Sequence, residues 1–155
     1  MNHIVCGPPG SGKSSYVLQR VGSCDVVVDV DALYHAITFL PYYDKPQSLL
    51  DLVLTVRDVL IANLPRYRDR YYNAWVITSG ASMLSRAKLA VRLNADVIVL
   101  EISPQECMRR IAHDPRRSAN AAAWQQLVAA WWNDYEPCDS DIVLKADWES
   151  SPCRP

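Results

Sequence analysis

Gly7-Pro8-Pro9-Gly10-Ser11-Gly12-Lys13-Ser14 decides the fold. The octet matches the pattern G-x-x-x-x-G-K-[ST] at every fixed position. Its flanks suit the pattern. Asn2 to Cys6 reads as a short strand before it, and Lys13 to Val21 as a helix after it, ending near Gly22. Glycines let the backbone wrap closely round phosphate oxygens and turn several N–H groups inward. A helix starting near Lys13 adds its positive end. The Lys13 ammonium is placed to bridge β- and γ-phosphates, and the Ser14 hydroxyl to ligate Mg²⁺. Gly7, Pro8, Pro9, Gly10, Ser11, Gly12, Lys13, Ser14 and Ser15 are therefore the candidate binding set for ATP with Mg²⁺.

Working outward, Asp25 to Val30 is a continuous apolar run that reads as a second strand, buried on both faces of a parallel sheet. It ends in Val28-Asp29-Val30-Asp31. Ligands of open parallel sheets bind beyond the carboxyl ends of the strands, so both carboxylates fall near the glycine loop. A carboxylate there can take a proton from an acceptor hydroxyl or help hold Mg²⁺. Asp31 is the candidate base, and Asp29 joins Ser14 as a candidate metal ligand. Asp31 also reads as the N-cap of a short helix running to Phe39.

The remaining elements alternate. Ser48 to Leu64 carries apolar residues at helical spacing and stops at Pro65; Ala74 to Thr78 and Asp96 to Ile102 read as strands. Leu84 to Leu93 is a helix with Ser82 or Ser85 as cap. Ser103-Pro104-Gln105-Glu106 opens the next helix with a capping box. Asn120 to Tyr135 is a helix and Asp141 to Lys145 a fifth strand, with 150–155 a loose tail after a single domain over 1–149. Strands alternating with helices give an α/β domain with a mainly parallel, five-stranded sheet.

Arg109, Arg110, Arg116 and Arg117 flank a polar loop from Asp114 to Ser118. Arginines on such a loop can close over donor phosphates and neutralise charge during transfer. Arg66-Tyr67-Arg68-Asp69-Arg70-Tyr71-Tyr72 reads as a helix end with buried tyrosines and exposed arginines. Trp124, Trp131 and Trp132 read as core or interface. Lys+Arg is 16 and Asp+Glu 17, a balance that argues against a histone-like binder. No stretch is long and apolar enough for a membrane span or a signal core, and the five cysteines show no CxxC pairing. The expectation is a cytoplasmic protein with reduced thiols.

The glycine loop, the Asp after strand two and the arginine-bearing lid resemble the P-loop kinase group, nearest the kinase domain of phage-type polynucleotide kinases. The chain is also similar to small phage-encoded ATPase-like proteins, through Trp131-Trp132-Asn133-Asp134-Tyr135. The resemblance implies a P-loop NTPase three-layer sandwich with Asp31 as base for a 5′-hydroxyl and Arg110 or Arg117 in the lid. It implies transfer of the γ-phosphoryl of ATP to a nucleotide or nucleic-acid 5′-end. That family carries an Asp just after strand three, where this chain reads Thr78-Ser79-Gly80. The missing acid and an exposed-looking Trp131-Trp132 support an alternative. In it the protein is an accessory ATPase or switch serving a protein partner in a nucleic-acid-processing complex.

Overall fold

Strands without polar alternation need cover on both faces, and helices supply it here. The computed structural model describes residues 1–117 and 120–145. β1 (Asn2–Cys6), β2 (Val26–Asp29), β3 (Ala74–Ile77), β4 (Ala95–Leu100) and β5 (Ile142–Leu144) form one sheet in the order β2-β3-β1-β4-β5. Every neighbouring pair is parallel. β1 is the central strand, with Ile4 level with Val76 on one side and Val97 on the other. Ile4, Val5 and Cys6 are fully buried.

Two apolar layers enclose the sheet. α1 (Lys13–Leu18) and α5 (Pro104–His113) cover the face carrying Val5, Ile77 and Ile98. α3 (Leu50–Asn63) and α4 (Met83–Leu93) cover the face carrying Ile4, Val28 and Val76. α6 (Ala121–Asp134) joins both layers, sending Val128 into the first and Trp131 into the second. α2 (Val30–Thr38) leaves β2 without an intervening loop. The result is an α/β three-layer sandwich whose chain direction reverses about β1, so the loop after β1 opens at the carboxyl edge.

Several expectations change in detail. The first helix stops at Leu18 rather than Val21, and Arg20 and Val21 close a turn on the Val17 carbonyl. β2 is an edge strand, so Val27 is exposed rather than covered on both faces. The long apolar segment is split into a 3₁₀ turn over Gln47–Leu49, α3, and a second 3₁₀ stretch over Leu64–Arg70. Pro65 lacks an N–H for the α ladder, and here the chain tightens rather than stopping. Val53 and Ile61 of α3 are buried, but Leu52, Val59 and Leu60 face outward because only one side of the helix meets the sheet. Of the tyrosines in the arginine-tyrosine segment, Tyr71 is buried with its hydroxyl on Leu64 O, while Tyr67 and Tyr72 are exposed. Cys6, Cys24, Cys107 and Cys138 are free thiols, and burial pushes Cys6 up to about 12. The expected tail over 150–155 lies outside the described residues, among which no helix is long and apolar enough to cross a membrane.

A buried arginine ties the far elements to the carboxyl edge. The side chains of Arg86 on α4 and Asp141 before β5 are 1% and 3% exposed and meet at 2.6 Å. Arg86 Nη1 also donates to Gly80 O and Ala81 O, and Nη2 to Glu136 O. One guanidinium thus holds the exit of β3, the start of α4 and the link from α6 to β5. Asp141→Ala leaves that charge buried without its counter-ion and should cost about 3–5 kcal/mol. The urea midpoint of the variant against the parent measures the loss.

Candidate active site

The loop between β1 and α1 is shaped by glycines and by two neighbours. Gly10 has φ 78°, and a Cβ there would lie 2.7 Å from Cys107 O of α5. Gly12 has φ 91° and forms the N-terminal boundary of α1. Both are left-handed positions, which only glycine takes without strain. Ser11 N closes a turn on Pro8 O at 3.2 Å, and Gly7 N donates to Ser79 O at the exit of β3. Lys13 Nζ folds back to donate to Gly7 O and Pro8 O, each at 2.8 Å. Burial, reinforced by the nearby Arg117 charge, lowers the Lys13 amine from 10.5 to about 8.

Asp29 and Asp31 take different roles from those their spacing suggests. Asp29, not Asp31, caps α2: its Oδ1 accepts from Asp31 N at 3.0 Å. With Asp31 as cap the helix would start at Ala32; it starts two residues earlier, at Val30, which moves the cap upstream. Asp29 Oδ2 accepts from Ser14 Oγ at 3.3 Å. Burial, then the Asp31 charge, raises the Asp29 carboxyl above its ordinary value. Asp31 is left free of capping and pairs through Oδ1 with Lys45 Nζ at 2.7 Å. The hydroxyl of Ser14 and the carboxylate of Asp29 make an all-oxygen pair suited to Mg²⁺, which takes few protein ligands and fills its octahedron with phosphate and water.

The arginines sort by position. Arg110 Nη1 reaches Ser11 O of the loop at 3.2 Å, and its Nε pairs with Glu106. Ser103 caps α5 as expected, but the Glu106 carboxylate is engaged by Arg109 and Arg110, which hold it down at about 2. Arg117 is largely buried: it donates to the Tyr43 hydroxyl, lies 4.0 Å over the Tyr43 ring and offers its carbonyl to Trp124 Nε1. Arg109 and Arg116 turn outward. Of the four arginines, Arg110 and Arg117 are therefore the two that the fold brings to the glycine-loop side.

The exit of β3 carries no acid. Ser79 O takes both Gly7 N and Trp131 Nε1, the latter at 2.7 Å. Trp131 is 4% exposed, a core residue as its helical spacing suggested and not the exposed one that the accessory reading drew on, and it braces the glycine loop from behind. Beside this exit, α3 and α4 leave a cleft of about 440 Å³ lined by Val76 and Thr78, by Lys88 and Arg92, and by Arg57 with its partner Asp58. The sequence reading missed Lys45 and Tyr43. Lys45 lies 14 residues from Asp31 on a non-repetitive loop, so no period or motif marks the pair.

No protein-family model matches the chain, and no curated protein sequence does. Solved structures do. A gluconokinase from Sinorhizobium meliloti 1021 superposes with TM-score 0.56 at 16% identity, covering 99% of this chain and 83% of that one. A sugar kinase from Janibacter sp. HTCC2649 gives 0.58 at 20%, covering 93% and 84%. The Pnkp1/Rnl/Hen1 RNA repair complex gives 0.58 at 16%, covering 87% of this chain and 46% of that one. The likeness is one of fold: a P-loop NTPase sandwich of the kinase type.

The Lys13 amine yields a pH test. Its pKa is depressed on folding, so the folded state binds that proton more weakly than the unfolded chain does. The resulting destabilisation is complete below pH 8 and fades as the pH rises from about 8 to 10.5. In the ligand-free protein, the melting temperature of the parent should climb relative to Lys13→Met across that window. A constant difference in calorimetry would place the ammonium in water.

Proposed function

We propose that the chain is an ATP- and Mg²⁺-dependent phosphotransferase acting on the hydroxyl of a nucleotide or nucleic-acid 5′-end. The observation that carries this reading is the separation of the two carboxylates. Asp29 is spent on Ser14 and on the α2 cap, while Asp31 stands next to it with neither duty. A hydrolase needs the loop and a metal ligand. A second carboxylate beside them, free of the metal side and of the helix cap and held by Lys45, is what an acceptor hydroxyl requires.

The roles follow from position. The loop amides and Lys13 hold the donor phosphates, and Ser14 with Asp29 holds Mg²⁺, which would draw charge from the phosphate oxygens. Asp31 takes the acceptor's proton as the acceptor oxygen bonds to the γ-phosphorus and the bond to the β–γ bridging oxygen breaks, releasing ADP. Arg110 and Arg117 offset the charge that builds on the transferring group. The cationic cleft between α3 and α4 supports an anionic acceptor. The similar solved structures, described as a gluconokinase, a sugar kinase and an RNA repair complex, support phosphoryl transfer to a hydroxyl. A second reading, an accessory ATPase that serves a partner, keeps one support: the absence of an acid over Thr78-Ser79-Gly80.

Labelled ATP offered with nucleosides, nucleoside monophosphates, 5′-hydroxyl oligonucleotides or water alone separates the two. The parent should phosphorylate one acceptor class. Asp31→Asn should keep ATP affinity and lower transfer by at least about 10²-fold, the lower end for a general base. If every acceptor is refused and Asp31→Asn hydrolyses ATP as the parent does, the accessory ATPase reading stands instead.

A further inference from the structure

The segment between α2 and the 3₁₀ turn at Gln47 is usually the least constrained kind of chain, a polar loop between helices. Here it is fastened along its whole length. His35 Nδ1 meets Leu40 O at 2.8 Å, and the Thr38 hydroxyl accepts from Leu40 N. Asp44 N closes a turn on Pro41 O, and the Tyr34 hydroxyl donates to Pro46 O. Between these anchors Tyr43 sits at φ 71°, a left-handed backbone that a tyrosine takes only when its surroundings hold it there.

What holds it is the lid. The Tyr43 hydroxyl accepts from Arg117, whose guanidinium also stacks on the ring, and the Tyr43 ring meets Trp124 edge-on at 5.8 Å. Two residues later, Lys45 reaches the other way, to Asp31 Oδ1 at 2.7 Å. One short strap therefore grips the acceptor-side carboxylate with Lys45 and the donor-side arginine with Tyr43. The two grips are not independent, because Pro41, Pro46 and the left-handed Tyr43 leave the backbone between them little freedom to move one end alone.

We infer that Tyr43 and Lys45 are positioning residues that couple the state of Asp31 to the placement of Arg117. A group that arrives at Asp31 and draws its carboxylate from Lys45 loosens the strap and frees Arg117. Conversely, Arg117 pulled towards donor phosphates pulls on Lys45, as reciprocity between linked sites demands. The inference rests on the roles given above to Asp31 and Arg117, but the coupling itself is mechanical and needs no turnover to be seen.

Limited trypsinolysis without ATP or acceptor tests it, with cleavage sites assigned by mass spectrometry. Cutting after Arg117 requires its side chain to leave both Tyr43 and Asp114, which pairs with its Nε at 3.5 Å. The exposed Arg66, Arg68 and Arg70, in the 3₁₀ stretch that follows α3, report any general loosening. Tyr43→Leu should raise Arg117 cleavage about tenfold relative to those sites, the scale of one lost hydrogen bond to a charged group. Lys45→Met removes the Asp31 pair and a 5.9 Å approach to the Tyr43 ring without altering Arg110 or Arg117, and should raise it about two- to fivefold, the range of a partly exposed ion pair. Lys45→Arg, which keeps the pair, should restore the parent pattern. With Lys45→Met folded, parental Arg117 cleavage, or an equal rise at Arg66 to Arg70, overturns the coupling. If Lys45→Met does not fold, Asp31→Asn breaks the same pair from its other end and is read the same way. Failure to phosphorylate any acceptor would remove the phosphotransferase reading and leave this cleavage pattern standing.

Discussion

The carboxyl edge of the sheet hangs on the guanidinium of Arg86. A buried arginine must satisfy five donors in a plane, and this one does so by drawing in carbonyls from Gly80, Ala81 and Glu136 together with the Asp141 carboxylate. That fixes the path of the chain as it leaves β3. Because the path is fixed, Ser79 O faces Gly7 N and Trp131 Nε1 and supports the glycine loop from behind. Where the resembled family has an acidic side chain after this strand, this chain has a bolted backbone.

The loop itself is electrostatically unbalanced. Lys13, Arg110 and Arg117 converge on it, while Asp29 is raised by burial and Asp31 is shared with Lys45. The depressed Lys13 amine records that imbalance, since burial and a like charge both oppose its proton. Phosphate oxygens are the complement of such a cluster: they restore the opposite charge and give the inward N–H groups their acceptors.

The octet Gly7 to Ser14, the strands and the parallel sheet were legible because each is written locally, in a fixed spacing or an apolar run. The same holds for Arg110, whose helix opens with a readable cap at Ser103. What was not legible depends on which elements become neighbours. The cap moved from Asp31 to Asp29 because α2 begins without a loop after β2, a choice that the residues of either position permit. Trp131 read as core or interface from its helical spacing, but its hydrogen bond to Ser79, 52 residues away, carried no local sign. Tyr43 and Lys45 carry no motif; their partners Arg117 and Asp31 lie on separate elements, and only the closed fold brings them together.

The central position of β1 also dictates when the loop can exist. Asn2 to Cys6 is synthesised before either of its partners, Ala74 to Ile77 on one side and Ala95 to Val99 on the other. Pairing across such separations must first meet the entropy of closing long loops, which slows sheets of this kind. The glycine octet therefore cannot acquire its full curvature until β3 has been made and Ser79 arrives, 72 residues on, to receive Gly7. An amino-terminal fragment ending before β3 would carry the whole octet and none of its shape.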